Sequence, residues 1–239
     1  MNIDYTRHYK KWHDGSYETS VRISKSYYQY IQHLDLPKNS KILDLGCGMG
    51  SFLIAVKDKG YEDFEGIDMS THQIAVAKQH GINVSHVTDG HSWLANRSEM
   101  FDAIFLYDVL EHIPVAEQIA FLADIHSALK PGGTLFLRTP NANSTFGPRY
   151  RSIDWTHHCA FTEHSLDFVL YNGGFTEIEI REDYFGKYPL WVPRPSPFGL
   201  LRGIYFGIRR LQAIAEFGPR QGKEIPLTIN IIGIARKIA

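Results

Sequence analysis

Cysteine is scarce in this chain. Its 239 residues hold two, Cys47 and Cys159. That is too few for a disulfide framework or a thiolate metal knot, and Cys47 lies inside a glycine-rich turn ill suited to a cross-link. The usage points to a reducing compartment, and a cytoplasmic location is the expectation. Long hydrophobic runs are missing as well: no stretch reaches 18 apolar residues, so no membrane-spanning helix is expected. The opening residues MNIDYTRHYKKWHDGS lack the apolar centre of a secretory leader. There is no excess of charge of one sign. Lys and Arg number 25 against 26 Asp and Glu, a net charge of −1, which offers no general attraction to nucleic acid or to an anionic membrane. Internal repeats and low-complexity tracts are absent. What remains is ordinary for a globular protein, with 44% hydrophobic and 21% charged residues. The length fits a single α/β domain over 1–239 with insertions.

The most informative stretch is KILDLGCGMGSFL, Lys41 to Leu53. Ile42, Leu43 and Leu45 read as a buried strand, interrupted by Asp44. Gly46, Gly48 and Gly50 alternate with Cys47 and Met49, and an apolar helical pattern follows. Strand, glycine turn and helix in that order let a ligand approach the backbone closely and offer helix-start amides to an anion or carboxylate. A dinucleotide fingerprint needs its third glycine three residues after the second; here Ser51 stands at that place, and Asp44 is foreign to that pattern. The seven-residue run DLGCGMG instead resembles motif I of the class I S-adenosylmethionine-dependent methyltransferases.

Strand and helix patterns then alternate. Strands are expected at 41–46, 63–68, 82–87, 101–107, 134–139 and 175–181, with a last one at 227–236. Helices are expected at 17–35, 51–59, 71–79, 115–129 and 163–172. This alternation implies a doubly wound, mostly parallel sheet whose ligands bind beyond the carboxyl ends of the strands. The resemblance adds the rest of the Rossmann-like methyltransferase fold: seven strands, the last antiparallel and inserted between the fifth and sixth. Residues 1–38 form an N-terminal arm and helix. The aromatic arm 1–16 suits either a surface strap or a lid. Residues 182–226 form an insertion, proline-rich at first and amphipathic over 199–217. Leu200, Leu201, Ile204, Tyr205, Ile208, Leu211 and Ile214 make its apolar stripe. That stripe suits packing on the chain's own domain, a homodimer partner, or peripheral contact with a membrane surface.

The resemblance implies S-adenosylmethionine as cofactor and assigns its parts. The loop Gly46, Cys47, Gly48 and Gly50 suits the methionine carboxylate, and Asp44 its ammonium. Asp68, at the end of strand two and 22 positions beyond Gly46, suits the ribose diol, with Met69 on the adenine face. Asp89 and Gly90, after strand three, suit the adenine amino group, although Asp89 also fits a solvated turn. Tyr107 and Asp108 open YDVLEH after strand four, which is similar to the ubiquinone-pathway O-methyltransferases, as is Pro131-Gly132-Gly133 before strand five. There the residues after strand four flank the sulfonium and the acceptor.

Methyl transfer to an alcohol needs an aligned acceptor and a base, and histidine suits the base. His112 is one candidate, equally suited to a structural hydrogen bond. RYRSIDWTHHCAFTEH, residues 149–164, holds the others. It resembles a group of methyltransferases of bacterial polysaccharide (capsule or lipopolysaccharide) biosynthesis, with Asp154, Thr156 and His157 matching and His158 standing where that pattern is commonly acidic. On this reading Asp154 orients His157 as the base. Arg149, Tyr150, Arg151 and His158 bind the acceptor, the arginines pairing with phosphate or carboxylate. No metal is expected; a site built from Asp154, His157 and His158 has no spaced carboxylate set to support it. The expected activity is O-methylation of a sugar, nucleotide sugar or glycan intermediate. The alternatives are a quinone, phenol or other small metabolite as acceptor, or a non-catalytic cofactor-binding protein. Nucleic acid is not an expected partner.

Overall fold

A computed structural model describes residues 14–32, 36–184, 190 and 195–238. Most of the aromatic arm, and Pro189 and Pro193 of the insertion, lie outside the described residues. Helix α1 (Tyr17–Gln32) precedes strand β1 (Ile42–Leu45). Then come α2 (Ser51–Asp58), β2 (Phe64–Asp68), α3 (Thr71–Gln79), β3 (Val84–His86), α4 (Gly90–Ala95) and β4 (Phe101–Tyr107). A 3₁₀ turn, Leu110–His112, leads to α5 (Gln118–Ala128) and β5 (Leu129–Pro140). The chain finishes with α6 (Gly147–Ser152), α7 (Glu163–Asn172), β6 (Glu177–Glu182), α8 (Pro197–Phe217), α9 (Gln221–Glu224) and β7 (Asn230–Arg236).

The seven strands form one sheet in the order β3-β2-β1-β4-β5-β7-β6. The first five run parallel, and β7 lies antiparallel between β5 and β6. That is the doubly wound sheet with an inserted antiparallel last strand that the resemblance implied. Differences are local. Strand β5 begins at Leu129, ahead of the expected Pro131–Gly133 turn. That turn sits inside the strand as a register irregularity, Phe101 pairing with Leu129 and Ala103 with Thr134. Short helices α4 and α6 occupy stretches without a clear period. No helix among the described residues is long and apolar enough to cross a membrane.

Alternation along the central strands divides the core. Ile104, Leu106, Leu135, Leu137 and Ile231 face α4, α5 and α7, whereas Ala103, Phe105, Tyr107, Phe136 and Ile232 face α1, α2 and α3. With helices on both faces the central strands have no solvent side, so they read as unbroken apolar runs. Helix starts are set by local caps. Ser70 accepts from the Gln73 amide at α3, and Thr162 and Ser165 form a reciprocal capping box at α7.

Phe105 is 1% exposed, with its ring centroid 4.3 Å from that of Phe52 and 5.7 Å from that of Phe136. Phe105→Ala is expected to lower unfolding free energy by about 3–5 kcal/mol, read by urea titration with an unchanged slope. A loss below about 1 kcal/mol would mean that the aromatic layer closes over the gap.

Candidate active site

The carboxyl ends of β1, β2, β4 and β5 open into a cavity of about 820 Å³, large enough for a nucleoside and a small second ligand. Its floor begins at the glycine turn. Gly46 and Gly48 sit at φ +77° and +53°, a left-handed backbone that L side chains rarely adopt. A Cβ on Gly46 would also run into Val109, and one on Gly48 would stand 2.8 Å from Gln73 Oε1. The turn is tied to β2: the Gly46 and Cys47 amides donate to Ile67 O at 2.8 and 3.0 Å. Asp68 accepts from the Gly48 amide at 2.9 Å and the Ser70 amide at 2.7 Å, clamping turn to strand end. Four of the expected cofactor-loop amides are therefore engaged within the protein, since Gly50 N donates to Cys47 O at 2.9 Å.

Asp44, Gly46, Cys47, Gly48, Asp68, Met69, Asp89, Gly90, Tyr107 and Asp108 all line this cavity; Gly50 does not. Asp44 is buried, and burial first, then the neighbouring Asp68 carboxylate, push its carboxyl well above the usual range. Burial also raises Asp68, against the hydrogen bonds from Ser70 and Gly48. The Cys47 side chain packs against Gly66, and burial raises its thiol. Met69 is 67% exposed at the rim. Asp89 caps α4, accepting from the Ser92 amide at 3.2 Å and its hydroxyl at 2.6 Å; the hydroxyl bond chiefly holds its carboxyl low.

At the end of β4 the chain turns sharply. Asp108 has φ +53°, and its carboxylate is gripped through both oxygens by Nε and Nη2 of Arg138 from β5. Arg138 lies among Tyr27, Tyr30 and Tyr107, whose hydroxyls burial pushes up, Tyr27 to about 12. The Tyr107 hydroxyl is buried with no hydrogen-bond partner among the described residues. Beyond this turn, Glu111 is fully buried. Its Oε2 accepts from Thr139 Oγ1 at 3.1 Å, while Oε1 has no partner among the described residues. Burial, then Asp108, raise its carboxyl well above the usual range.

The histidines meet on the far wall. His112 Nδ1 lies 2.7 Å from Thr156 Oγ1, and that hydroxyl donates to Asp154 Oδ1 at 2.8 Å. Thr156 has one hydroxyl proton and spends it on Asp154, so His112 Nδ1 is the donor to Thr156 and the lone pair sits on Nε2. Burial chiefly holds His112 down, to about 4, and so keeps it neutral. His157 packs edge-on at 4.6 Å, its Nδ1 2.9 Å from Tyr150 O. Asp154 thus meets Thr156 and, through it, His112; its backbone carbonyl lies 3.3 Å from the His157 amide. That departs from the expected Asp154–His157 pair, because the bend at 153–157 points the carboxylate back at the Thr156 hydroxyl. Ligand atoms of Glu111, His112 and His157 lie within 4.8 Å of one another, so this trio, rather than Asp154, His157 and His158, is the group that could hold a metal ion.

Arg149, Arg151 and His158 do not line the cavity. Helix α6 turns Tyr150 toward it, with Ile153 following three positions on just past the helix end, which carries Arg149 and Arg151 to other faces. The His158 amide donates to Glu111 O at 2.8 Å, while its side chain is exposed. Sequence reasoning missed Arg138, Glu111 and Thr156 as site groups. An arginine inside the apolar strand LFLRTP was the available signal, since a buried cation demands a partner.

The family described as "Methyltransferase domain" matches residues 22–180. A "Ubiquinone biosynthesis O-methyltransferase" of Saccharophagus degradans is 31% identical over 157 residues, covering 60% of this chain and 65% of that protein. One of Coxiella burnetii is 32% identical over 119 residues, covering 48% of this chain and 50% of that protein. The chain thus spans half to just under two thirds of the length of these curated relatives. A "SAM dependent methyltransferase" structure from Archaeoglobus fulgidus shares the fold, with a TM-score of 0.69 and 20% identity over 98% of this chain and 100% of that one.

A carboxyl whose folded pKa lies above its unfolded value costs the fold nothing below the unfolded value. The cost grows as pH rises from there toward the folded value. Asp44→Asn removes that cost. The variant is expected to melt above the ligand-free wild type at neutral pH, with the difference shrinking toward acid pH. A constant difference across pH would mean that Asp44 is not strained by its burial.

Proposed function

The chain belongs to the methyltransferase domain family, and on that premise we propose that it moves the methyl group of S-adenosylmethionine to a hydroxyl of a small phenol- or quinone-like acceptor. The observation that carries this reading is one cavity with paired carboxylates at one end and two hydrogen-bonded imidazoles at the other. Asp44 and Asp68 are like charges side by side, a setting that favours a bound ammonium and a nearby sulfonium. Asp68 is placed for the ribose diol, at the cost of exchanging its bonds to Gly48 and Ser70.

At the other end, His112 Nε2 takes the acceptor's hydroxyl proton. S-adenosylmethionine, held at the Asp44–Asp68 end of the cavity, would supply an electrophilic methyl group to the hydroxyl oxygen that His112 deprotonates, and the imidazolium proton would then pass to solvent. The Asp154 carboxylate, acting through Thr156, holds the His112 tautomer and steadies the imidazolium. Alignment supplies much of the rate, because sulfonium is already a good leaving group. A pocket built only for binding would need no such relay.

Beside His112 and His157 the cavity is lined by Ile113, Tyr150 and Ile153, which suits a planar apolar ring better than a sugar phosphate. The arginines expected to clamp phosphate lie off the cavity. The relatives named for ubiquinone biosynthesis support the same choice over the glycan acceptor.

Thr156→Val keeps shape and breaks the relay. Turnover is expected to fall about 10²-fold or more with S-adenosylmethionine affinity by calorimetry unchanged, and Thr156→Ser should restore it. With saturating cofactor, the acid limb of kcat should lie near the low value of His112, about 4, and not near 6.5. A limb well above that value together with a normal Thr156→Val rate would remove His112 from the base role. Activity is further expected to survive chelation. Loss restored by a divalent cation would instead make Glu111, His112 and His157 metal ligands.

A further inference from the structure

Helix α8 is amphipathic in an unusual sense, since it has two apolar faces. Gly199, Gly203 and Ala213 are buried against the domain together with Arg210. Opposite them, Leu200, Leu201, Ile204, Ile208 and Leu211 are 49–68% exposed. The apolar stripe therefore faces away from the domain, which leaves a homodimer partner or a membrane surface of the three expected occupants. Seven large apolar side chains on one helix, counting Phe198 and Phe217 at its ends, exceed the scattered exposure normal for a monomer's surface.

The spacing of the stripe is specific. Leu201, Ile204, Ile208, Leu211 and Ala215 follow one another at intervals of three, four, three and four, the a/d seam of a helix pair. The positions flanking that seam are Leu200, Tyr205, Gly207, Gln212 and Ile214. None is charged, so a second identical helix meets no like-charge repulsion. Gly207 has nothing within 4 Å of where its Cβ would stand, a notch that lets another backbone come close. The three arginines of α8 are already engaged by the fold. Arg202 stacks 5.1 Å over Tyr184, Arg209 donates to Asn143 O at 2.9 Å, and Arg210 pairs with Glu182 at 2.9 Å. A membrane-surface helix instead keeps its cations beside its apolar face.

We propose that α8 is a symmetric dimer interface, the seam Leu201–Ile204–Ile208–Leu211–Ala215 packing on the same seam of a second copy of this chain. Two such seams with their end phenylalanines cover on the order of 1,000 Å², the size at which an interface becomes specific. The pair also braces the acceptor side. Tyr205 Oη donates to Thr145 Oγ1 at 2.9 Å, and Arg209 holds Asn143, in the segment leading into α6 and Tyr150.

Sedimentation equilibrium of the full chain decides it. The wild type is expected at twice its monomer mass, dissociating on dilution. Ile208→Glu should be a monomer with native circular dichroism and S-adenosylhomocysteine affinity within about twofold of wild type. A wild type that is monomeric at every concentration overturns the proposal, as does an Ile208→Glu variant that stays dimeric. Vesicles of phosphatidylglycerol and phosphatidylethanolamine supply the other arm. A monomeric wild type that floats with them, against an Ile208→Glu variant that does not, would make the bilayer the occupant and overturn the dimer.

Discussion

The Arg138–Asp108 ion pair is the constraint on which the rest of the site depends. It joins the ends of two adjacent parallel strands, and it holds Asp108 in a left-handed backbone that a non-glycine residue adopts only when its surroundings insist. That turn sends the chain across the mouth of the sheet, so that Glu111 is buried beneath it and His112 faces the cavity. The pair is itself anchored. Arg138 Nη1 lies 3.4 Å from the Tyr30 hydroxyl, which donates to Asp183 at 2.6 Å. Helix α1, two central strands and the segment after β6 thus share one polar network inside an aromatic layer. Taking a guanidinium out of water is costly, and the cost is met only while every partner stays in place. Such a network adds less to stability than to the uniqueness of the geometry it sets.

A second theme is charge held under tension. Asp44, Asp68 and Glu111 are all displaced toward their neutral forms by burial. In a protein with no ligand to receive, apolar residues at these places would fold more stably. All three line one cavity, where a bound cation would favour the charged forms of the nearest of them and so offset the burial.

Helix α8 shows the same logic at a surface. Its inner face is made of glycine, alanine, a partly buried Phe206 and one buried arginine, so it docks by close approach and polar bonds. The larger aliphatic side chains are left on the outer face. Hydropathy alone assigns the greater stripe to the core; here the smaller residues won that side because α9 and the loop after it press against it, with Gly222 in contact with the backbone of Ala213 and Ile214.

Much of the fold was legible because its signals are local. The strand–turn–helix at 41–53, the alternation of periods and the acidic residue closing β2 each depend on neighbours within a few positions, and the sequence by itself determined the parallel sheet and the glycine turn. The resemblance supplied the inserted last strand, which no local pattern encodes. What only the tertiary structure decided is pairing across distance. Thr156 reaches His112 over 44 residues of chain, Arg138 finds Asp108 from the next strand, and α6 turns Tyr150 inward while carrying Arg149 and Arg151 away. Residue type specifies what bond a side chain can make. Which partner it meets is settled by the packing of elements remote in sequence, where a one-residue rotation of a short helix moves an arginine from a pocket to the solvent.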